Sequence, residues 1–292
     1  MMYYVLYNPL SGNGQGFQRV RGLETVLRDG EIKFSDIREI GDVRSFLRNF
    51  SKEDTLILAG GDGTVNRFVN ETDGEAYPAN LYYYPTGSGN DFCRDVPVNE
   101  QGMIPLTRYI QGLPVVTVKN RSYRFLNGIG YGIDGYCCEV GDELRRTSDK
   151  PINYTGIAIK GLLFYYKPTN ATVTVDGRSY EFKKVWLAPT MNGRFYGGGM
   201  MITPDQDRLN ESREVSLAIF YGSGKLKTLC VFPSIFKGEH VKHTDIFTVL
   251  KGREISVKFD RPVALQIDGE TVLDVSEYRV SAGVPAKELA NA

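Results

Sequence analysis

Thr55-Leu56-Ile57-Leu58-Ala59-Gly60-Gly61-Asp62-Gly63-Thr64-Val65-Asn66 decides how this chain is read. The apolar run 55–59 reads as a buried strand. It opens onto three glycines, with an aspartate and a threonine set among and behind them. Glycine lets backbone N–H groups come close to an anion and permits positive φ. A helix beginning near Thr64 would aim its first N–H groups at the same anion. The aspartate is the odd residue, because a bare carboxylate repels phosphate. A divalent cation between carboxylate and phosphate resolves the conflict. The motif therefore points to a nucleoside triphosphate with magnesium. On the pattern alone, an ordinary glycine-rich strand-to-helix turn is the alternative.

Outward from this stretch, strand-like and helix-like segments alternate through the first third of the chain. Residues 3–7 read as a strand that opens into a glycine-rich loop, 8–16. Phe17, Val20, Leu23 and Leu27 have helical spacing. Residues 32–37 form a weaker strand, and Asp42 is placed to cap a helix ending near Phe50. Residues 81–84 form another strand, followed by a second glycine-rich segment, 85–91. Pro105 fits the first turn of a helix running to Ile110. Such alternation predicts parallel βαβ units with helices on both faces. Ligands gather at the carboxyl ends of such strands, so the loops 8–16, 60–66 and 85–91 are expected to converge on one crevice.

The texture changes after about residue 115. Helical patterns remain at 136–146 and 152–166. From Ala171 onward strands dominate, at 172–175, 180–187, 215–221, 247–250, 255–259, 263–267 and 272–275. Asp176-Gly177 and Asp268-Gly269 give tight-turn signals between them. The expected architecture is α/β plus β: a Rossmann-like nucleotide-binding domain over 1–117, then a β-sandwich over 118–280. The tail, about 280–292, could return to the first domain.

Composition sets outer limits. The 292 residues suit one large or two ordinary domains, and 41% are hydrophobic, enough for real cores. Thirty-five basic and 35 acidic residues cancel. That balance argues against nucleic acid and against bulk attraction to anionic membranes, so any basic patch must be local. Cys93, Cys137, Cys138 and Cys230 follow no metal-ligand spacing and make a poor disulfide framework. They read as reduced thiols of a cytoplasmic protein. The N-terminal residues read as a strand and not as a signal peptide. No stretch approaches the roughly 20 apolar residues of a membrane span.

Two further loops carry chemistry. In Asn8-Pro9-Leu10-Ser11-Gly12-Asn13-Gly14, the side chains of Asn8 and Ser11 could bond locally or to phosphate, and a structural loop is equally compatible. No Gly-Lys-Ser/Thr is present to make this a P-loop. Pro85-Thr86-Gly87-Ser88-Gly89-Asn90-Asp91 repeats the pattern of the central motif, with glycines, hydroxyls and then a carboxylate. Asp62 and Asp91 could share a magnesium ion or bracket an acceptor hydroxyl. Asp134 also follows a glycine-rich strand end and is an active-site candidate.

Taken in order, these loops resemble the diacylglycerol kinase-like catalytic domain, and more closely the bacterial soluble lipid kinases of that family. The matching residues are Asn8-Pro9, Ser11-Gly12 and Gly14, then Gly60 through Asn66, then Gly87 through Phe92 with Arg94. Later matches are Phe125 through Asp134, Gly197-Gly198-Gly199-Met200 with Pro204, and Gln266 through Glu270. The resemblance spans essentially the whole chain. It implies an active site in the cleft between two domains and phosphoryl transfer from ATP, with Mg2+, to the hydroxyl of diacylglycerol or a related lipid. It implies nucleotide contacts at Gly60, Gly61, Asp62, Gly63, Thr64, Val65 and Asn66. Asn8, Ser11, Gly12, Gly87, Ser88 and Asn90 join them. Glu270, in Asp268-Gly269-Glu270, is implied as the general base. Chemistry agrees, since a positioned carboxylate can take the proton of a weakly nucleophilic alcohol. Asp-Gly before it is equally a hairpin signal.

Two segments depart from the family pattern. Asn210-Glu211-Ser212 stands where many members carry Asp-Asp-Gly at a structural magnesium, so that metal site is not carried over. Arg38 through Val43 lacks the family's threonine. The segment 152–166 is apolar and aromatic, with Lys150, Lys160 and Lys167 along or beside it. Ile152, Ile159, Leu163 and Tyr166 could share one face. Such a segment could touch a bilayer or line an acyl-chain groove, making the protein peripheral on the inner face of the membrane; a helix packed on the sandwich is the other reading. His240 and His243 read as a solvated loop, and Trp186 as core. An exposed sandwich edge could pair two subunits into a homodimer. Two other functions remain open: a kinase of a soluble hydroxyl compound, like the nicotinamide dinucleotide kinases, and a non-catalytic nucleotide or lipid sensor.

Overall fold

The computed structural model of the chain describes residues 2–73, 75–147 and 152–285. It divides into two compact units, 1–113 and 114–292.

The first unit is built on one sheet. Strands β1 (Met2–Tyr7), β2 (Glu31–Asp36), β3 (Thr55–Gly60), β4 (Leu81–Pro85) and the short β5 (Ile104–Pro105) take the order β2-β1-β3-β4-β5. The first four are parallel, and β5 runs antiparallel to β4. Every residue of β3 is buried, as a central strand covered on both faces requires. Helix Asp62–Glu71 follows it and buries Val65, Phe68 and Val69. Asp42 caps helix Val43–Arg48 by accepting the Arg44 N–H at 3.0 Å.

Two expectations fail locally. The helical pattern of 17–27 breaks into Gly16–Val20 and Leu23–Val26, because Gly22 lies in its middle and weakens helix continuation by about 1 kcal/mol. Val20 and Leu23 are still fully buried, so the apolar spacing is satisfied without a continuous helix. Pro105 does not start a helix; it pairs with Tyr82 in β5, and the helix spans Thr107–Ile110.

The second unit is antiparallel. Its strands are β6 (Val115–Val118), β7 (Arg121–Arg124), β8 (Gly128–Tyr131), β9 (Thr169–Val175), β10 (Arg178–Val185), β11 (Thr190–Met191), β12 (Phe195–Tyr196), β13 (Met200–Met201), β14 (Val215–Phe220), β15 (Phe247–Gly252), β16 (Glu254–Ile267) and β17 (Glu270–Ser281). The run is β15-β14-β11-β8-β16-β17-β6-β7, while β9 pairs with β10 and with β16, and β12 pairs with β13. The expected pieces 255–259 and 263–267 are one strand, β16, carried through Pro262 by register shifts between Lys258 and Leu265. A bulge is where a sheet tolerates proline. β6 pairs with β17, so the expected boundary at 117 falls inside a strand of this unit. Of the tail that could return to the first domain, Ser281 still pairs with β6, and 286–292 lie outside the described residues. Val173, Leu217, Val257, Leu265 and Tyr278 belong to the buried core between the layers.

Helix Ile133–Thr147 packs on β16. A Cβ on Gly135 would stand 1.8 Å from the Ala264 carbonyl oxygen, so only glycine allows this approach. Trp186 is core, as expected, and its indole N–H donates to the Ser223 carbonyl at 3.1 Å. His240 is not solvated: it is fully buried, with Nε2 2.9 Å from the Ile202 carbonyl oxygen and its ring against Phe247.

Candidate active site

In the first unit, β1, β3 and β4 are parallel neighbours, so their carboxyl ends lie side by side. The three glycine loops leave from those ends and are bonded to each other. Asn8 donates its backbone N–H to the Ala59 carbonyl at 2.9 Å and its Nδ2 to Thr64 Oγ1 at 3.0 Å. The Gly60 carbonyl accepts from Thr86 N (2.8 Å), Gly87 N (3.0 Å) and the Tyr83 hydroxyl (3.0 Å). Ser11 Oγ and Thr86 Oγ1 are 2.7 Å apart. Arg19 donates to the Thr86 carbonyl at 2.9 Å. Gly61 and Gly87 face each other so closely that a Cβ on Gly87 would lie 2.5 Å from the Gly61 Cα. The expected convergence of the three loops is therefore observed within this unit.

Helix Asp62–Glu71 starts two residues earlier than expected, which places Asp62 in its first turn. A carboxylate is favoured there by the helix dipole. Its oxygens accept backbone N–H groups from the third loop, Asp91 N at 2.8 Å and Phe92 N at 3.2 Å. Asp62 thus latches two loops as well as carrying charge to the strand end. Asp91 is buried at the start of helix Asp91–Asp95. Asn90 precedes it in a left-handed conformation, φ 50°, with Nδ2 donating to the Gly87 carbonyl at 2.9 Å.

The predicted nucleotide residues differ in what they present. Ser88 is exposed, and Gly61, Asp62 and Gly63 are at least partly open to solvent. Ser11 and Thr64 are buried and bonded within the loops. Val65 is fully buried, so only its backbone could meet a ligand. Thr86, Tyr83 and Arg19 tie the loops together and were not singled out from the sequence. Arg19 alone carries a signal, a cation three residues beyond the glycine-rich loop 8–16.

Magnesium and nucleotide fit the residues present. Among the described residues no cluster of three His, Cys, Asp or Glu side chains could hold a metal alone. Magnesium is usually bound by one or two carboxylates together with phosphates and water, which needs no such cluster. The segment around Asn210 is organised differently. Asn210 bonds to the Asp207 and Glu214 carbonyls, Lys251 to that of Asp205 and Arg253 to that of Ser212. Lysine and arginine thus serve carbonyls there.

In the second unit, Glu270 is exposed and opens β17 directly after the Asp268-Gly269 turn. Asp268 anchors the turn by accepting the N–H groups of Leu126, Asn127 (2.8 Å) and Gly128 (3.0 Å). Gln266 Oε1 accepts the Gly269 N–H at 2.6 Å. The backbone on either side of Glu270 is therefore fixed, which is what a positioned base needs.

Asp134 lies near the same end of β16. A Cβ on Gly130 would meet both its Cβ (2.7 Å) and Gln266 Nε2 (2.6 Å). It sits in the first turn of helix Ile133–Thr147, not before the helix. Burial pushes its carboxyl up to about 7, and the nearby Tyr196 hydroxyl pulls it back only partly. Its Oδ2 has no hydrogen-bond partner among the described residues. Cys138 beside it, raised chiefly by burial, also feels the charges of Asp134 and Glu270.

Residues 2–116 match the family model of the diacylglycerol kinase catalytic domain. Residues 127–284 match that of the YegS C-terminal NAD kinase beta sandwich-like domain. A Bacillus subtilis protein named "Putative lipid kinase YtlR" is 25% identical over 310 aligned positions, covering 96% of each chain. A Mycobacterium tuberculosis protein named diacylglycerol kinase is 25% identical over 255 positions, covering 83% of this chain and 81% of its own. The crystal structure of a "putative diacylglycerol kinase" from Bacillus anthracis superimposes with a TM-score of 0.66 at 20% identity, covering 96% of this chain and 91% of that one. At that identity the structural match supports the shared fold, and the family rests on the two domain matches.

Proposed function

The chain belongs to the diacylglycerol kinase-like family of lipid kinases, and from that premise we propose that it transfers the γ-phosphate of ATP, with Mg2+, to the hydroxyl of diacylglycerol or a related long-chain alcohol. The observation that carries this reading is the bonding of three glycine loops at the carboxyl ends of β1, β3 and β4. They offer backbone N–H groups, the exposed Ser88 and the Asp62 carboxylate at one strand edge.

Gly60 through Asn66, with Gly87, Ser88 and Asn90, bind the nucleotide phosphates. Asn8, Ser11 and Gly12 support them. Asp62 and Asp91 would hold a magnesium ion, which would supply positive charge to neutralise the phosphate oxygens. Arg19 and Thr86 keep the first and third loops in register. Glu270 accepts the proton of the acceptor hydroxyl as its oxygen bonds to the γ-phosphorus and ADP leaves. The transition state of such transfers is loose, so position and charge neutralisation weigh more than base strength. Asp134 is a buried acid close to the same strand end.

The test uses ATP labelled at the γ-phosphate and a panel of lipid alcohols. Label should enter the organic extract, disappear with a magnesium chelator, and fall below detection for Asp62→Ala with the protein still folded by circular dichroism. Label confined to a water-soluble product would favour a soluble acceptor. ATP bound without turnover would favour a sensor.

A further inference from the structure

The three most exposed large apolar side chains among the described residues are Leu226 (76%), Phe164 (71%) and Tyr165 (67%). They come from segments about 60 residues apart in sequence, yet the segments are bonded together. Lys225 Nζ donates to the Leu163 carbonyl at 2.9 Å. Phe164 and Tyr165 lie in a wide helical turn, Gly161–Tyr165, closed by the Tyr166 N–H on the Gly161 carbonyl at 2.8 Å. That bond spans five residues, the mark of a π-turn, which is rare and frequently sits at functional sites.

The turn explains which residues face out. Helix Tyr154–Lys160 continues into it, and the buried large side chains are Leu162 and Tyr166, with Ala158 and Gly161 beside them. The expected shared face of Ile152, Ile159, Leu163 and Tyr166 does not form; Ile159 is exposed. Widening the last turn sends two aromatic rings to solvent with no core to receive them.

The two segments that carry these side chains are basic. Residues 152–167 and 224–237 contain Lys160, Lys167, Lys225, Lys227 and Lys237 and no Asp or Glu. The whole chain is neutral, so this concentration is local. Lys227 is paired with Asp245, while Lys160 and Lys167, on the same segment as the two rings, are exposed.

We propose that this face, tipped by Phe164, Tyr165 and Leu226 and collared by lysines, docks the protein on an anionic phospholipid bilayer. Aromatic and leucine side chains enter the interfacial layer while lysines meet anionic head groups, the pairing expected of an interfacial anchor. The proposal rests on the lipid-kinase reading and deepens it by naming the surface through which a bilayer-held acceptor is reached.

Co-sedimentation with phosphatidylcholine vesicles, with and without phosphatidylglycerol, tests it. The wild type should sediment with the phosphatidylglycerol vesicles. Combined Phe164→Ser, Tyr165→Ser and Leu226→Ser should weaken this at least about tenfold, since each side chain withdrawn from water contributes to partitioning. Lys160→Glu with Lys167→Glu should remove the dependence on phosphatidylglycerol. Turnover of a short-chain, water-soluble diacylglycerol should stay at the wild-type level in both variants. Phe164→Trp keeps an apolar ring, so its emission should move to the blue on vesicles even where the triple variant folds poorly.

Wild-type and triple-variant protein sedimenting alike, or no blue shift for Phe164→Trp, would overturn the proposal. So would a dimer in solution that the triple variant abolishes with no vesicle binding by the wild type, because the face would then join two copies of the chain. If no lipid becomes labelled while vesicle binding and its loss persist, the docking face stands and the kinase reading fails.

Discussion

Two turns with the same dipeptide lie at opposite ends of one strand. Asp176-Gly177 anchors the start of β16, where the Asp176 carboxylate accepts the N–H groups of Arg253 (2.9 Å) and Glu254 (2.8 Å). Asp268-Gly269 follows the end of β16, where Asp268 accepts three N–H groups from residues 126–128. Both aspartates have positive φ, 46° and 45°, as two-residue hairpins demand. The local chemistry is nearly the same, and the surroundings are not. Bonds at the first turn are exposed, and the next residue is Arg178, in solvent. Bonds at the second are partly buried, the next residue is Glu270, and Asp134, Asp142 and Cys138 lie around it. A dipeptide specifies a turn; the strand end to which it is fixed specifies what the turn can do.

Substitutions at the two ends should separate cleanly. Glu270→Gln should lower lipid phosphorylation by about 100- to 10,000-fold with the melting temperature unchanged, the range for loss of a general base. A loss confined to stability would reduce the second turn to the status of the first. Asp268→Ala should cost about 2–4 kcal/mol in chemical denaturation, because three backbone donors lose an ionised acceptor, and turnover should fall with it. Asp176→Ala should cost about 1 kcal/mol and leave turnover intact, since water can replace exposed bonds. Arg178→Gln should change neither.

Asp134 adds a pH signature to the Glu270 end alone. Burial holds its folded-state pKa near 7, above its ordinary value of 3.8. The native state therefore binds more protons than the unfolded chain between those values. Stability contributed by this group is greatest in acid and declines as pH rises through that window, levelling off above it. Asp134→Asn should flatten this decline, so the variant gains on the wild type in melting temperature as pH rises. A parallel pair of pH profiles would show that the carboxyl is not held protonated by its surroundings.

Much of this was legible because periodicity and turn chemistry are local. Strand β3 announced itself as an apolar run, and the three glycine loops were found because each follows such a run. Asp42 worked as a cap because capping depends on the next few residues only. What escaped the sequence was set by distant partners. Asp62 read only as a carboxylate for metal or acceptor, yet it also holds Asp91 and Phe92, about 30 residues away, through their backbone N–H groups. His240 looked polar and solvated, but a carbonyl 38 residues upstream lets it be buried. The pieces 255–259 and 263–267 read as two strands, and register shifts carry one strand through Pro262 between them. The spacing of 152–166 assumed 3.6 residues per turn and set Ile159 and Leu163 beside Tyr166, but with a wide last turn it is Ala158 and Leu162 that are buried with Tyr166.

Glu270, held by the Asp268 turn, is the proposed base for the acceptor hydroxyl. The most direct test of that role is single-turnover transfer of γ-labelled phosphate from ATP to diacylglycerol, comparing wild type with Glu270→Gln at saturating ATP. Wild type should label the lipid in a burst, while the variant binds ATP with equal affinity and labels almost nothing. Equal labelling rates in the two proteins would contradict the account.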